Sequence, residues 1–171
     1  DPDHGDRNIA DLLWFPTGGG KTEAYLGLVA FTIIHRRLKD PDALGVAVIM
    51  RYTLRLLTIQ QFERATMLLC SLERLRQREN DLGGRPFSIG LWVGQGATPN
   101  TLVEARKSLR DIADGKELNE KNPVQLTQCP WCGQDLNENH YSVTKGPEER
   151  LKIACGNSSC DFRDALPAYL V

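Results

Sequence analysis

The chain has 171 residues, which at roughly 150 residues per domain corresponds to one modest domain or a domain with a small appendage. Apolar residues make up 41% and charged residues 25% of it, close to globular averages, so a wholly disordered chain is excluded. The 21 lysines and arginines against 22 aspartates and glutamates give a net charge of −1. This balance excludes bulk electrostatic attraction to nucleic acid or to an anionic membrane, so any such binding depends on local patches.

The cysteines indicate a reducing, cytoplasmic compartment. The chain has five, too few for a disulfide scaffold, and four of them form two close pairs that are typical of metal binding. The apolar runs are interrupted by charge well before the roughly 18 residues of a membrane span, and the polar first residues are unlike a signal peptide. Because the sequence lacks an initiator methionine and stops inside an apolar run, we interpret it as a piece of a longer protein.

The predicted elements alternate between strands and helices along the first hundred residues. A compact apolar run predicts a strand at 9–15, and apolar residues at helical spacing predict a helix at 21–39. A near-continuous apolar run at 45–50 is typical of a strand buried on both faces, and a second helix at 53–78 and a third strand at 86–93 follow. This order implies right-handed crossovers and a parallel sheet covered by helices on both faces.

The character of the sequence changes after Gly94. Residues 100–113 predict one amphipathic helix, and residues 114–122 are polar and typical of a linker. Residues 127–163 contain four cysteines and several turn formers, but no helical pattern.

A glycine-rich loop lies between the first predicted strand and the first predicted helix, which is the context that a phosphate-binding loop requires. Glycines let successive backbone N–H groups converge on phosphate oxygens, and the helix N-terminus adds partial positive charge. Lys21 would contact the β and γ phosphates of ATP and the Thr22 hydroxyl would bind Mg²⁺, which makes these two the predicted catalytic residues. The predicted nucleotide-binding residues are Pro16, Thr17, Gly18, Gly19, Gly20, Lys21 and Thr22.

The loop departs from the general pattern at one position, because Phe15 stands where a glycine is expected six residues before the lysine. The alternative is a glycine-rich turn that happens to precede a lysine and a threonine. The run nevertheless closely resembles motif I of superfamily 2 helicases, where the sequence Ala-Pro-Thr-Gly-x-Gly-Lys-Thr is usual. That resemblance implies a RecA-like motor domain that binds ATP and Mg²⁺.

A second segment extends the resemblance. Residues 51–61 follow the predicted buried strand and resemble helicase motif Ia, which contacts the nucleic-acid backbone. The resemblance implies nucleic-acid contacts by Arg51, Thr53, Arg55 and Gln60. The alternative is that Thr53 caps the helix and the arginines are simply solvated.

More narrowly, residues 13–27 and 50–62 resemble the large helicase component of the DISARM phage-defence system and its relatives. This resemblance implies an ATP-dependent helicase or translocase that acts on DNA more readily than on RNA. The implied partners are the second motor domain of the same polypeptide and other defence-system subunits, with no membrane. The chain contains no apolar run that ends in Asp-Glu, the helicase motif II, so we expect this piece alone to hydrolyse ATP poorly or not at all.

The paired cysteines predict a structural zinc ribbon. Cys129 and Cys132 are separated by two residues, and Cys155 and Cys160 by four, a spacing that suits the four ligands of tetrahedral zinc. Four thiolates leave no open position for water, so hydrolytic zinc chemistry is disfavoured. The alternatives are two disulfides, or His140 in place of one cysteine. Cys70 is predicted to be a core residue, and removal of zinc is expected to disorder 127–163 while leaving the parallel sheet largely intact.

The surface of the ribbon supports two interpretations. Its cations and aromatic side chains can form a stacking surface for a single strand of nucleic acid, or they can be solvated charges and ordinary ribbon packing. These residues are Lys145, Arg150, Lys152 and Arg163, with Trp131, Tyr141 and Phe162.

The predicted fold class is α/β: a partial P-loop (RecA-like) parallel sheet with helices on both faces, plus an inserted four-cysteine zinc ribbon. The predicted divisions are a polar lead-in at 1–8, an ATP-binding domain at 9–113, a linker at 114–126, the ribbon at 127–163 and the start of a return segment at 164–171. Two other functions stay open. One is a non-motor P-loop enzyme such as a kinase, and the other is a zinc-dependent module that binds nucleic acid or protein.

Overall fold

The computed structural model describes residues 5–9, 20–52, 55–94, 96–146 and 149–170. These residues form a mixed structure of helices and short strands. The helices are α1 (Lys21–Lys39), α2 (Arg55–Arg76) and α3 (Leu102–Ala113). The strands are β1 (Ile89–Leu91), β2 (Tyr141–Val143), β3 (Leu151–Ile153) and β4 (Ala168–Leu170). Single 3₁₀ turns occupy Gly5–Asn8, Asn80–Leu82 and Glu138–His140.

The three predicted helices are confirmed, each to within two residues at either end. α1 ends in a basic turn, as the helix dipole favours. α3 begins after Thr101, whose hydroxyl accepts a hydrogen bond from the Glu104 N–H at 3.2 Å. The Glu104 carboxylate in turn accepts from the Asn100 N–H at 2.9 Å, so two of the free amides at this end of the helix are paired. In the described part of the chain, no helix combines the length and the apolar character that crossing a bilayer requires.

The strands form two small sheets. β1 lies parallel to β4, with Ile89 opposite Ala168 and Leu91 opposite Leu170. β2 and β3 are antiparallel, with Tyr141 opposite Ile153. The third predicted strand, at 86–93, is therefore confirmed over its central three residues.

The predicted strand at 45–50 is wrong. No strand is assigned there, and the side chains of Val46 and Ile49 are 75% and 86% exposed. The Arg36 guanidinium donates to the carbonyls of Leu44 and Val46, which a sheet would otherwise use. An apolar run becomes a buried parallel strand only when neighbouring strands pair with both its edges, and no described strand pairs with this one. The predicted strand at 9–15 lies outside the described residues except for Ile9, which is exposed.

The larger of two hydrophobic clusters among the described residues connects the cysteine-bearing region to α2, α3 and β1. Phe62 and Cys70 of α2 and Leu91 of β1 belong to the same buried cluster as the ribbon side chains. Cys70 is fully buried there, as predicted. Buried members contributed by residues 127–163 are Cys129, Leu136, Tyr141, Leu151, Ile153, Cys155, Cys160 and Phe162.

A second, smaller cluster joins α1 to α2 and Phe87. The ribbon therefore shares its interior with α2, α3 and β1, and the described residues contain no parallel sheet with helices on both faces.

A buried network of charged side chains holds the loop between α2 and β1 in place. The Glu73 carboxylate accepts hydrogen bonds from the Arg76 guanidinium at 2.7 and 2.8 Å and from the Phe87 N–H at 2.9 Å. From α1, Arg37 donates to two carbonyls within 82–85 and lies over the Phe87 ring, 4.7 Å from its centroid. These contacts hold the loop against both helices, and every charge in them has a partner, as burial requires.

Candidate functional site

The first pair of cysteines lies on a tight turn. The Cys129 N–H donates to the Gln134 carbonyl at 2.7 Å, and the Gly133 N–H donates back to the Cys129 carbonyl at 2.9 Å. Gly133 has a φ of 76°, in the left-handed region that glycine adopts without steric cost. This turn, the first knuckle, brings the sulfurs of Cys129 and Cys132 to the same side of the backbone.

The second pair of cysteines lies on a turn of similar design. The Cys155 N–H donates to the Phe162 carbonyl at 3.2 Å, and the Cys160 N–H donates to the Asn157 carbonyl at 3.0 Å. These bonds close the second knuckle, residues 155–162. A Cβ on Gly156 would lie 2.6 Å from the His140 Nε2, so the glycine makes room for the imidazole against this turn.

The four sulfurs of Cys129, Cys132, Cys155 and Cys160 lie within 4.8 Å of one another. The closest separations between knuckles are 3.5 Å for Cys132 and Cys155 and 4.0 Å for Cys129 and Cys160. Tetrahedral zinc with Zn–S bonds of about 2.3 Å would place its sulfurs about 3.8 Å apart. The cluster therefore has the size and donor set that a zinc ion fits, and it could hold such a metal between the two knuckles.

Backbone amides face three of these sulfurs. In each case the donor is the N–H two residues after the cysteine: Gln134 for Cys132, Asn157 for Cys155, and Phe162 for Cys160 at 3.4 Å. Hydrogen bonds from neutral amides stabilise thiolates, which four-cysteine metal binding requires. The knuckles thus supply both the ligands and part of the compensation for their negative charge.

Burial and hydrogen bonding act in opposite directions on the acidity of these thiols. Burial raises the pKa of Cys155 to about 12 and that of Cys160 to about 11. Burial also acts upward on the pKa of Cys132, but the Gln134 N–H and the neighbouring thiols outweigh it and lower this pKa to about 7. Cys132 is the exposed member of the four.

The alternatives left open for the cysteines find no support in the geometry. All five cysteines are free thiols, and the sulfur separations far exceed the about 2.05 Å of a disulfide. The four-membered cluster does not include His140, whose Nδ1 accepts from the Asn137 N–H at 3.0 Å. A zinc ion held by all four sulfurs would have no open position for a reactive water.

Two ribbon aromatics that could have formed a stacking surface are core residues. Tyr141 and Phe162 are each only 4% exposed. The Tyr141 hydroxyl donates to the Leu126 carbonyl at 2.8 Å and accepts from the Leu126 N–H at 2.9 Å. Trp131 stands edge-on to Phe162 with 5.5 Å between the ring centroids, so it bridges the two knuckles. For these three aromatics the structure favours the packing alternative.

The predicted nucleotide loop is described only at its end, since Pro16, Thr17, Gly18 and Gly19 lie outside the described residues. Gly20 has a φ of 77° and no side chain caps the N-terminus of α1. Lys21 is exposed on the first turn and Thr22 is half-buried. One cavity among the described residues lies at the opposite end of α1, beside Lys39 and Leu44.

An ion pair unnoticed in the sequence connects the start of α1 to α2. Glu23 accepts a hydrogen bond from the Arg64 guanidinium, and the α1 amides and this arginine lower the Glu23 pKa. Of the four predicted nucleic-acid contacts, Arg51 and Gln60 are exposed. Thr53 and the side chain of Arg55 lie outside the described residues. The Glu23–Arg64 ion pair thus places the start of α1 beside the first half of α2, and Arg64 lies four residues after Gln60.

The architecture and the cluster define a small mixed helix-and-strand protein with a four-cysteine site that could hold zinc. No protein-family model matches the chain. The chain is 42% identical over 179 aligned positions to the DISARM protein DrmA of Bacillus paralicheniformis. The alignment covers 97% of this chain but only 16% of that protein, so the chain spans about a sixth of the relative's length. The chain is therefore similar to a DISARM protein along nearly all of its own sequence.

Proposed function

We propose that this chain is the N-terminal, ATP-binding part of an ATP-dependent superfamily 2 helicase or translocase in antiphage defence, acting on DNA rather than RNA. The observation that carries the proposal is the run of three glycines, lysine and threonine that leads directly into α1 at Lys21. The similarity to the DISARM protein supports the role in defence. The proposed surroundings are cytoplasmic, and the proposed partners are the second motor domain of the same polypeptide and other defence-system subunits.

In this proposal ATP lies on the loop that begins at Pro16, with its phosphates on the backbone N–H groups of residues 17–20 and at the start of α1. The start of α1 supports this placement, because Gly20 contributes no side-chain cap and the partial positive charge of a helix N-terminus favours an anion. Lys21 neutralises phosphate charge and Thr22 binds Mg²⁺. Arg51, Thr53, Arg55 and Gln60 contact the backbone of the strand.

The domain divisions belong to the same proposal. Residues 9–113 contribute to the motor domain, residues 114–126 connect it to the ribbon, and residues 164–171 return towards the motor sheet. Within the ribbon at 127–163, Cys129, Cys132, Cys155 and Cys160 hold a structural zinc ion. The separations of the four sulfurs support this assignment. When bound, zinc supplies a rigid tetrahedral crosslink between the knuckles and takes no part in hydrolysis.

Nucleotide binding by a Lys21→Ala variant tests the proposal. The control is Lys39→Ala, which removes an exposed lysine from the far end of the same helix. With a fluorescent ATP analogue and Mg²⁺, we expect Lys21→Ala to lose binding and Lys39→Ala to bind like the parent chain. In the full-length polypeptide, Lys21→Ala should also abolish ATP hydrolysis. Equal binding by both variants would show that the loop is not a nucleotide site.

The four-cysteine cluster favours one second candidate, a zinc-dependent interaction module in which the glycine loop binds no nucleotide. A non-motor P-loop enzyme such as a kinase would bind ATP but gain nothing from nucleic acid. ATP hydrolysis by the full-length polypeptide, measured with and without single-stranded DNA, separates all three. Single-stranded DNA should stimulate ATP hydrolysis by a motor but not by a kinase. An interaction module should show no ATP hydrolysis that depends on Lys21.

A further inference from the structure

The parallel pair β1–β4 has one face turned away from the core. Leu91, Ala168 and Leu170 are buried, so side chains at the alternate positions point outwards. Tyr169 is the outward residue of β4 and lies opposite Gly90 of β1. Trp92 follows β1 directly on the same side as Gly90 and is 95% exposed.

Among the described residues, the positions on either side of Trp92 along the chain are open. Gly90 and Gly94 are the neighbouring positions on its face, and a Cβ built on either would touch nothing within 4 Å. Glycine at both positions leaves an exposed ring with open space above and below. Large exposed aromatic surface of this kind is typical of a binding site, because water solvates it poorly.

Cations border this aromatic surface. The Arg150 guanidinium lies 5.6 Å from the centre of the Tyr169 ring and donates to its hydroxyl at 3.4 Å. Lys152 points away from the core, since Leu151 and Ile153 on either side of it are buried. β3 adjoins β4, because the Leu166 N–H donates to the Ile153 carbonyl at 2.8 Å.

The nearby acidic side chain Glu149 is already paired. Its carboxylate accepts from the Arg106 guanidinium at 3.0 Å. Glu149 therefore does not neutralise Arg150, the cation that the structure places against the Tyr169 ring, and Lys152 follows two residues later on β3. An aromatic surface with cations at its edge is complementary to unpaired bases and a phosphate backbone.

We propose that the outer face, formed by Trp92, Tyr169, Arg150 and Lys152, binds a single strand of nucleic acid. Two rings stack on bases and two cations contact phosphates. From a strand spacing of about 4.8 Å and two residue steps of about 3.3 Å, the Cα atoms of Trp92 and Tyr169 lie about 8 Å apart. That distance lets each ring stack on a different base. The assignment rests on the proposed nucleic-acid function and adds to it a contact surface separate from residues 51–61.

Tryptophan emission of the zinc-loaded chain, titrated with a short oligothymidylate, tests the outer face. We expect the oligonucleotide to quench emission, and Trp92→Phe to remove most of this quenching while retaining a stacking ring. Trp92→Ala should weaken binding by about 5- to 150-fold, the range that loss of one stacked base implies. Val103→Ala is the matched control, because it truncates an apolar side chain of α3 that is 72% exposed. Its affinity should equal that of the parent chain.

The salt dependence of the affinity for the oligonucleotide distinguishes stacking on bases from contacts with phosphates. Arg150→Gln should lower the slope of log K against log salt by about 0.7, the value for one phosphate contact on a single strand, whereas Trp92→Ala should leave it unchanged. Unchanged affinity of Trp92→Ala, quenching that persists in Trp92→Phe, or no binding of the oligonucleotide would each overturn the assignment. ATP binding by Trp92→Ala should remain intact. If ATP binding is lost in Lys21→Ala but kept in Trp92→Ala, failure of the outer face can be distinguished from failure of the nucleotide site.

Discussion

Removal of zinc from the loaded chain should unfold more than the ribbon. The ribbon at 127–163 contains two strands of three residues each and two knuckles, too little regular structure to be stable by itself. Structural zinc binds peptides of this size with about 10–16 kcal/mol. The whole stability of a domain is about 5–15 kcal/mol, so loss of the ion removes a free energy as large as the total.

The shared core determines how far the effect extends. Three of the cysteine ligands are buried in the same cluster as Phe62 of α2, Leu91 of β1 and Leu170 of β4. We therefore expect chelation to release the β1–β4 pairing as well as the knuckles. This expectation differs from the one based on sequence, in which a sheet separate from the ribbon survives without metal.

Hydrogen exchange with and without a chelator measures the extent directly. Amides of β1 and β4 should lose protection together with those of 128–162, and Trp131 emission should shift to the red as its contact with Phe162 opens. Cys132→Ser should lose zinc, while the control Cys70→Ala should retain one ion per chain, because Cys70 is outside the cluster. Protection of β1 and β4 that survives chelation would refute the argument from the shared core.

Two further predictions concern stability measured by urea unfolding. Glu73→Gln should lower the free energy of unfolding by about 3–5 kcal/mol, because it leaves a buried guanidinium without its charged partner. Glu149→Gln, at an exposed ion pair, should lower it by less than about 1 kcal/mol. Equal costs would show that burial of the network is unimportant. Gly83→Ala should destabilise more than Gly115→Ala, since both glycines have positive φ but only at Gly83 would a Cβ meet a backbone oxygen, that of Pro41 at 2.3 Å. Positive φ in the left-handed well costs about 1–2 kcal/mol, and Gly83 departs further from it with a ψ of 173°. Similar losses at both positions would mean that the loop around 83 moves aside.

Local patterns predicted the helices well, because amphipathic spacing and capping act within one segment. The spacing of the cysteines likewise indicated a cluster, and the structure brings all four sulfurs together. The strand expected at 45–50 failed because pairing depends on other segments, and Val46 and Ile49 lie exposed. The burial of Tyr141 could not be predicted either, since its two hydrogen bonds are to Leu126, distant in sequence.

The outer face was missed for a similar reason. In the sequence, Trp92 is one apolar residue of the strand predicted at 86–93, and the pattern of one strand does not establish which of its sides faces water. Only the parallel register with β4 shows that Trp92 shares a side with Tyr169. The two flanking glycines were the available signal, because alternate glycines on one side of a strand leave a ring uncovered.

Helix α2 contacts two separate parts of the molecule, the start of α1 and the second knuckle. Its first half faces Glu23 through Arg64, and its last turns contact the second knuckle through Arg74 and Asp161, whose charged atoms are 3.0 Å apart. At 1.5 Å per residue its 22 residues span about 33 Å. Arg64 and Arg74 are ten residues apart on this helix, so about 15 Å of continuous helix separates the contact with the second knuckle from the contact with the start of α1.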